Sequence, residues 1–131
     1  MKDFVKNNVD ILFSNEGEIK SLYETDILED AYKFLKEDVA IGVVTQGDKG
    51  ADIIEQTAVH KIEAFSTKVI DTTGAGDFFA AGFLAGLSKN FDLMKAGVMG
   101  AACSAEIISH YGGRPDKNLK EYIKNKAGLI L

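Results

Sequence analysis

The sequence predicts an α/β sandwich built on a mainly parallel sheet. Three observations carry this. Apolar strand-like runs alternate with helical patterns along the whole chain. The run Val39-Ala40-Ile41-Gly42-Val43-Val44-Thr45 is β-branched and small without alternation, which suits a strand buried on both faces. The stretch from Ala75 to Leu87 is nearly all apolar, so its helix is covered on most sides.

Taken in order, residues 2–7 read as the end of a helix and Val9-Asp10-Ile11-Leu12-Phe13 as a buried strand. Ser14 or Asn15 caps a short helix to about Leu22. Thr25 or Asp26 starts the next, with Ile27, Ala31, Phe34 and Leu35 on one face. After the 39–45 strand, Gly47 and Gly50 flank a turn through Asp48-Lys49. Strands follow over about 51–56 and 58–64, with a tight connection near Thr57. Lys68-Val69-Ile70 reads as a strand leading into a glycine-rich run, from which the helix from Ala75 departs. A second buried helix spans about Asp92 to His110, stopped by Gly112-Gly113 and Pro115, and a polar helix about Asp116 to Lys126. No repeat, linker or low-complexity tract interrupts the 131 residues, which read as one domain.

Composition excludes several function classes. Twenty acidic against fifteen basic residues, scattered, give a net charge of −5 and no clustered basic face for nucleic acid or an anionic membrane. The single cysteine, Cys103, rules out an internal disulfide framework and sits in an apolar helical stretch as a buried thiol. The first residues show no apolar leader, and the apolar run Phe78–Leu87 is about half of the ~20 residues a membrane span needs. A cytoplasmic protein is expected. His60 and His110 lack partner ligands at metal spacing, and His110 is placed to meet helix-terminal carbonyls or edge a nucleotide.

The chemistry concentrates in Asp71-Thr72-Thr73-Gly74-Ala75-Gly76-Asp77. The first amides of a helix lack internal partners and carry the positive end of its dipole. Small residues at 74–76 let a phosphate approach them, and Asp77 in the first turn stands ready to accept a proton from an attacking hydroxyl. Taken alone, glycine and aspartate at a helix start are also ordinary caps.

The stretch Asp71 to Phe83 resembles the C-terminal signature of the ribokinase-like, or PfkB-type, carbohydrate kinases. Asn15-Glu16-Gly17-Glu18 is similar to that family's Asn-x-x-Glu motif, and Thr45-Gln46-Gly47-Asp48-Lys49-Gly50 to its Thr-x-Gly-x-x-Gly loop. The resemblance implies a three-layer α/β/α, Rossmann-like sandwich, with residues 1–131 as its C-terminal nucleotide-binding and catalytic part. It implies transfer of the γ-phosphoryl of ATP to a sugar or nucleoside hydroxyl. Asp77 is then the base, and Gly74, Ala75 and Gly76 form the anion hole.

Asn15 and Glu18 are placed near Mg²⁺, Glu18 through water; the alternative is a plain helix cap. Thr45, Gly47 and Gly50 belong to the nucleotide loop. Small residues of the long helix, Gly97, Gly100, Ala101, Ala102 and Ala105, are candidates for the adenine pocket, or for close packing. Asp71, Thr73 and carbonyls near His110 and Gly112 fall where the family holds a monovalent cation such as K⁺. The ending Ile108 to Pro115 is most like adenosine-kinase-like and sugar-kinase members.

Family members are usually more than twice this long, and their lid and double-glycine sugar motif are not found in this sequence. The expectation is weak or no turnover by the chain alone, and self-association or a complementing N-terminal fragment to cover an exposed sheet edge.

Overall fold

The computed structural model describes residues 10–72, 74–110 and 118–129. The chain divides into two compact units, Met1–Gly47 with Ala51–Lys61, and Asp48–Gly50 with Ile62–Leu131.

The first unit is built on a four-stranded sheet in the order β1-β2-β3-β4, comprising β1 (Ile11–Asn15), β2 (Ile41–Thr45), β3 (Ala51–Ile54) and β4 (Val59–Ile62). β1 pairs with β2 in parallel, from Ile11 opposite Ile41 to Asn15 opposite Thr45. Parallel neighbours need a long crossover, and two helices supply it: α1 (Glu16–Leu22) and α2 (Leu28–Asp38).

β2 and β3 run antiparallel, Gly42 opposite Ile54 and Thr45 opposite Ala51. The sheet is therefore mixed, where a mainly parallel one was expected. The few residues between Thr45 and Ala51 are too short to carry a crossover, so the chain reverses on itself. β2 has partners on both sides, which accounts for the burial of Gly42, Val43 and Val44.

Ile19 of α1 and Ala31 and Leu35 of α2 pack with Tyr23, Val39, Val44 and Ile54 as one apolar cluster. A Cβ on Gly42 would fall 2.4 Å from Leu35 Cδ2, so α2 lies directly against β2. α2 begins later than expected: its N-cap is Ile27, without a side-chain cap. Thr25 Oγ1 instead accepts from the Ile27 amide at 3.1 Å, a local turn that delays the helix. β1 extends to the cap residue Asn15, further than the expected end at Phe13. β3 and β4 are shorter than predicted, because Glu55 N–H already closes the turn on Ala58 O at 2.8 Å.

In the second unit, α3 (Ala75–Ser88) and α4 (Leu93–Ile108) pack closely along small residues. A Cβ on Gly82 would lie 2.9 Å from both Gly100 Cα and Cys103 Sγ. α4 is capped by Asp92, whose side chain accepts from Lys95 N at 2.8 Å. α5 (Leu119–Ala127) starts at the cap Asn118 and ends on Gly128 at φ 68°. Its Ile123 joins Met99, Ala102 and Cys103 in an apolar cluster.

No strand forms over residues 63–72. The amides of Ile70 and Asp71 both donate to Ile108 O, at 2.7 and 3.2 Å. That carbonyl is in the last turn of α4 and has no helical partner, so it captures the amides that a sheet ladder would have used. The predicted helix at 2–7, the Gly112-Gly113 stop, Pro115 and the start at Asp116 lie outside the described residues. Among the described residues no helix is long and apolar enough to cross a membrane.

Candidate functional site

The Asn-x-x-Glu and Thr-x-Gly segments are placed by the sheet. Asn15 and Thr45 end adjacent parallel strands and face each other in register. In open α/β sheets, ligands bind beyond the carboxyl ends of strands. Thr45 Oγ1 reaches Ser14 O at 3.4 Å, a long contact joining the two ends. Asn15 Oδ1 accepts from Glu18 N at 2.7 Å, and Glu18 Oε1 accepts from Asn15 N at 3.0 Å. This is a reciprocal capping box, so the cap reading of these residues holds as a structural fact. Both side chains remain exposed at the strand end, so the carboxylate of Glu18 can still meet a hydrated Mg²⁺.

Beyond Thr45 the chain makes one 3₁₀ turn, Gly47–Lys49. Gly47 sits at φ 60° and Gly50 at φ 94°, left-handed values that exact a cost from residues with a side chain. At Gly50 there is a second constraint, since a Cβ would approach Ile62 O to 1.9 Å. Gly47 faces open space, with nothing within 4 Å of its notional Cβ. The glycines thus have different reasons: one shapes a close backbone approach, the other keeps the loop bare.

Gln46, the residue before Gly47, joins a polar cluster that the motif reading missed. Asp52 on β3 is buried, 4 % exposed. Its Oδ2 accepts from Tyr32 OH at 2.6 Å and from Gln46 Nε2 at 2.7 Å. Gln46 Nε2 also donates to Tyr32 OH at 2.9 Å, and Lys61 Nζ stands 3.3 Å from Asp52 Oδ1. Burial, followed by the Asp52 carboxylate, raises the Tyr32 hydroxyl far above the usual tyrosine range. The available signal was an aspartate inside the apolar run Ala51–Ile54; its partners are scattered too widely in sequence to be read.

In the second unit, Gly74 caps α3 at φ 81° without a side-chain cap. Phe78 N donates to Gly74 O at 2.9 Å, the first bond of the helix. The first-turn amides of Ala75, Gly76 and Asp77 have no helical carbonyl to reach. Ala75 N is used nonetheless, by Thr72 O at 3.2 Å. That narrows the expected anion hole: of Gly74, Ala75 and Gly76, the Ala75 amide is already engaged. Gly76 is exposed, and a Cβ there would meet nothing within 4 Å. Asp77 is exposed in the same turn, where the helix dipole favours a carboxylate. An uncapped, amide-rich mouth with room in front fits a phosphate group.

The remaining predicted residues are placed less favourably. Gly97, Gly100 and Ala101 are buried, and Ala102 and Ala105 are 0 % and 3 % exposed. A Cβ on Gly100 would come 2.8 Å from Phe79 O, so Gly100 serves the α3–α4 contact, while Ala102 packs in the cluster with Ile123 of α5. Asp71 is half-buried with its amide on Ile108 O, while Thr73 and Gly112 lie outside the described residues. His110 Nε2 pairs with Glu106 Oε1 at 2.7 Å. His60 pairs with Glu55 at 2.6 Å. Among the described residues, no group of three or more His, Cys, Asp or Glu is arranged to hold a metal. The Cys103 thiol is buried, as expected.

Comparison with known proteins agrees with these motifs. Residues 1–119 match the pfkB family carbohydrate kinase description. A sugar kinase of Archaeoglobus fulgidus, itself uncharacterized, is 36 % identical over 114 residues, covering 87 % of this chain and 45 % of that protein. A probable sugar kinase from Rhizobium etli superposes with a TM-score of 0.93 at 38 % identity, covering 98 % of this chain and 39 % of that one. The adenosine kinase of Sinorhizobium meliloti gives 0.90 at 30 % identity, covering 94 % and 38 %. An Arabidopsis thaliana ribokinase complexed with ribose and ATP gives 0.82 at 26 % identity, covering 95 % and 43 %. The chain thus spans less than half the length of these relatives. With the matched region running through every motif described above, the chain belongs to the pfkB family of carbohydrate kinases, and its α/β fold is that of the ribokinase-like enzymes.

Proposed function

We propose that this chain carries the nucleotide-binding and catalytic elements of an ATP-dependent kinase acting on a hydroxyl of a sugar or nucleoside. The observation that carries the reading is the mouth of α3: a left-handed glycine cap, no side-chain cap hydrogen bond among the described residues, open space at Gly76 and an exposed acid at Asp77. In this reading the Gly76 and Asp77 amides receive the γ-phosphoryl oxygens as charge develops on them. Asp77 takes the proton of the acceptor hydroxyl, a contribution of about 10²–10⁴-fold. Thr45 and Gly47 bind nucleotide phosphates, and Glu18 meets Mg²⁺ through its water shell, as suits an ion that sheds water reluctantly. Mg²⁺ supplies charge neutralisation on the phosphates when bound. Asp71, with Thr73, is assigned to a monovalent cation such as K⁺.

The ribokinase bound to ribose and ATP, the adenosine kinase and the sugar kinases among the relatives support this substrate class. The test is γ-phosphate release or transfer from Mg·ATP, with and without ribose or adenosine. Asp77→Asn should lower turnover by at least about a hundredfold while leaving Mg·ATP affinity within a few-fold. Equal turnover in the variant removes the assigned base.

A second reading, nucleotide binding without transfer, draws on the capping box, in which Asn15 and Glu18 already satisfy each other. It predicts Mg·ATP binding by calorimetry and no turnover in either protein. We also propose that β1, whose one partner among the described strands is β2, takes a further strand from a second copy or a companion polypeptide. A dimer or larger assembly is expected by light scattering at tens of micromolar, and a clean monomer overturns that assignment.

A further inference from the structure

We propose that Asp52 is a positioning residue for the start of the glycine loop, acting through the Gln46 amide and the Tyr32 hydroxyl. The proposal rests on the nucleotide reading of the Thr45–Gly50 segment and deepens it. Gln46 stands between Thr45 and Gly47, the residues assigned to nucleotide phosphates, and in a bare glycine loop its side chain is the obvious anchor.

The donor and acceptor senses admit one arrangement. Tyr32 has a single proton, and at 2.6 Å it is committed to Asp52 Oδ2. Its oxygen is then an acceptor toward Gln46, as is the carboxylate. Gln46 must present its NH₂ to both, at 2.7 and 2.9 Å. A flipped amide would set its carbonyl oxygen against the buried carboxylate oxygen of Asp52 in a partly buried site, where repulsion is less screened than in water. Lys61, 70 % exposed in its side chain, balances the charge from the solvent side without fixing direction.

The anchor also stands on the strand pairing. Asp52 faces Val44 across the β2–β3 ladder, one residue before Thr45. The carboxylate therefore projects from rigid sheet toward the first residue that leaves it. Gly47 follows immediately at φ 60°, so the direction in which the loop departs is set where Gln46 is held. Tyr32 brings the third support from α2, and its hydroxyl is kept protonated by burial and by Asp52, with Glu16 adding to the effect.

The test exchanges donor and acceptor. Gln46→Glu breaks the match by setting carboxylate against carboxylate, and Asp52→Asn keeps an accepting oxygen but removes its charge and turns an NH₂ toward Lys61, while the double variant puts a carboxylate at 46 and an amide at 52 and restores a charged acceptor facing an amide donor. Two readouts are followed on the full chain: Mg·ATP affinity by calorimetry, and amide exchange at Gln46 and Gly47. Each single variant should weaken Mg·ATP binding about tenfold and speed exchange at these amides, the expected cost of one charge-assisted hydrogen bond. The double variant should recover both. Tyr32→Phe removes one hydroxyl with no change of charge; it keeps the test decisive if Asp52→Asn fails to fold, and should speed the same exchange.

Lowered melting temperature with unchanged affinity and unchanged loop exchange overturns the proposal, as does a double variant no better than the singles. If the wild type binds no Mg·ATP, loop exchange alone decides. Faster exchange in the variants then upholds the positioning role while the nucleotide reading falls.

Discussion

Gly76→Ala separates the folding role of the α3 mouth from its binding role. Gly76 is the second residue of the helix and is not among the positive-φ glycines. A methyl there would meet nothing within 4 Å, so the fold has no steric reason to require glycine. Alanine restricts the unfolded chain and favours the helix by up to about 1 kcal/mol, less in a first turn. The variant should melt no lower than the wild type and up to about 4 °C higher. Binding should move the other way. If a phosphoryl group occupies that space, the methyl denies it close access to the backbone. Loss of one charge-assisted contact costs about 1.5–3 kcal/mol, or roughly ten- to a hundredfold in Mg·ATP affinity. Calorimetric titration beside a thermal melt reads both effects. Wild-type affinity in a well-folded variant would refute the placement of phosphate at Gly76. Gly74→Ala serves as the contrast: at φ 81° its side chain is strained, and the fold itself should lose about 1–2 kcal/mol.

Further outcomes follow from the second unit. Gly82→Ala should destabilise by about 1–2 kcal/mol, roughly 3–10 °C in Tm, since two of the three atoms that its Cβ would crowd, Gly100 Cα and Met99 O, are backbone that cannot step aside by a rotamer change; an unchanged Tm refutes the close α3–α4 contact. Burial, reinforced by Glu106, raises the Cys103 thiol from its ordinary 9.0 to about 11. A raised folded pKa means that this group's share of stability is whole below about pH 9 and disappears as pH climbs to about 11. Urea midpoints should fall across that window, and less steeply in Cys103→Ala. Thiolate absorbance appearing near pH 9 in the native protein would contradict it.

Much of the site was legible because its motifs are local. The Asn15–Glu18 box closes within one helical turn, so spacing alone reveals it, although spacing did not say that each would occupy the other. Gly47, Gly50 and Gly74 do take left-handed angles, which a glycine-rich run advertises. Other features depend on partners distant in sequence. Asp52 is explicable only with Tyr32, twenty residues away on another element. Small residues on α4 look the same whether they line a pocket or meet a neighbouring helix; at Gly100 the adjoining backbone of α3 decides for packing. The strand expected before Asp71 failed because Ile108 O offered its amides a nearer acceptor. The sheet lost its mainly parallel character because a buried apolar run records burial, not the direction of its neighbours.

The pairing of Asn15 with Thr45 has a practical meaning for how such a chain tolerates change. Their spacing is held by rungs of a ladder, so lengthening the helical excursion that joins them leaves it untouched. A single residue inserted within β1 is another matter: it would displace the Asn15 end by about 3.3 Å and turn every following side chain to the opposite face. Insertions are therefore expected to collect around Glu24–Ile27 and to be absent from Ile11–Asn15.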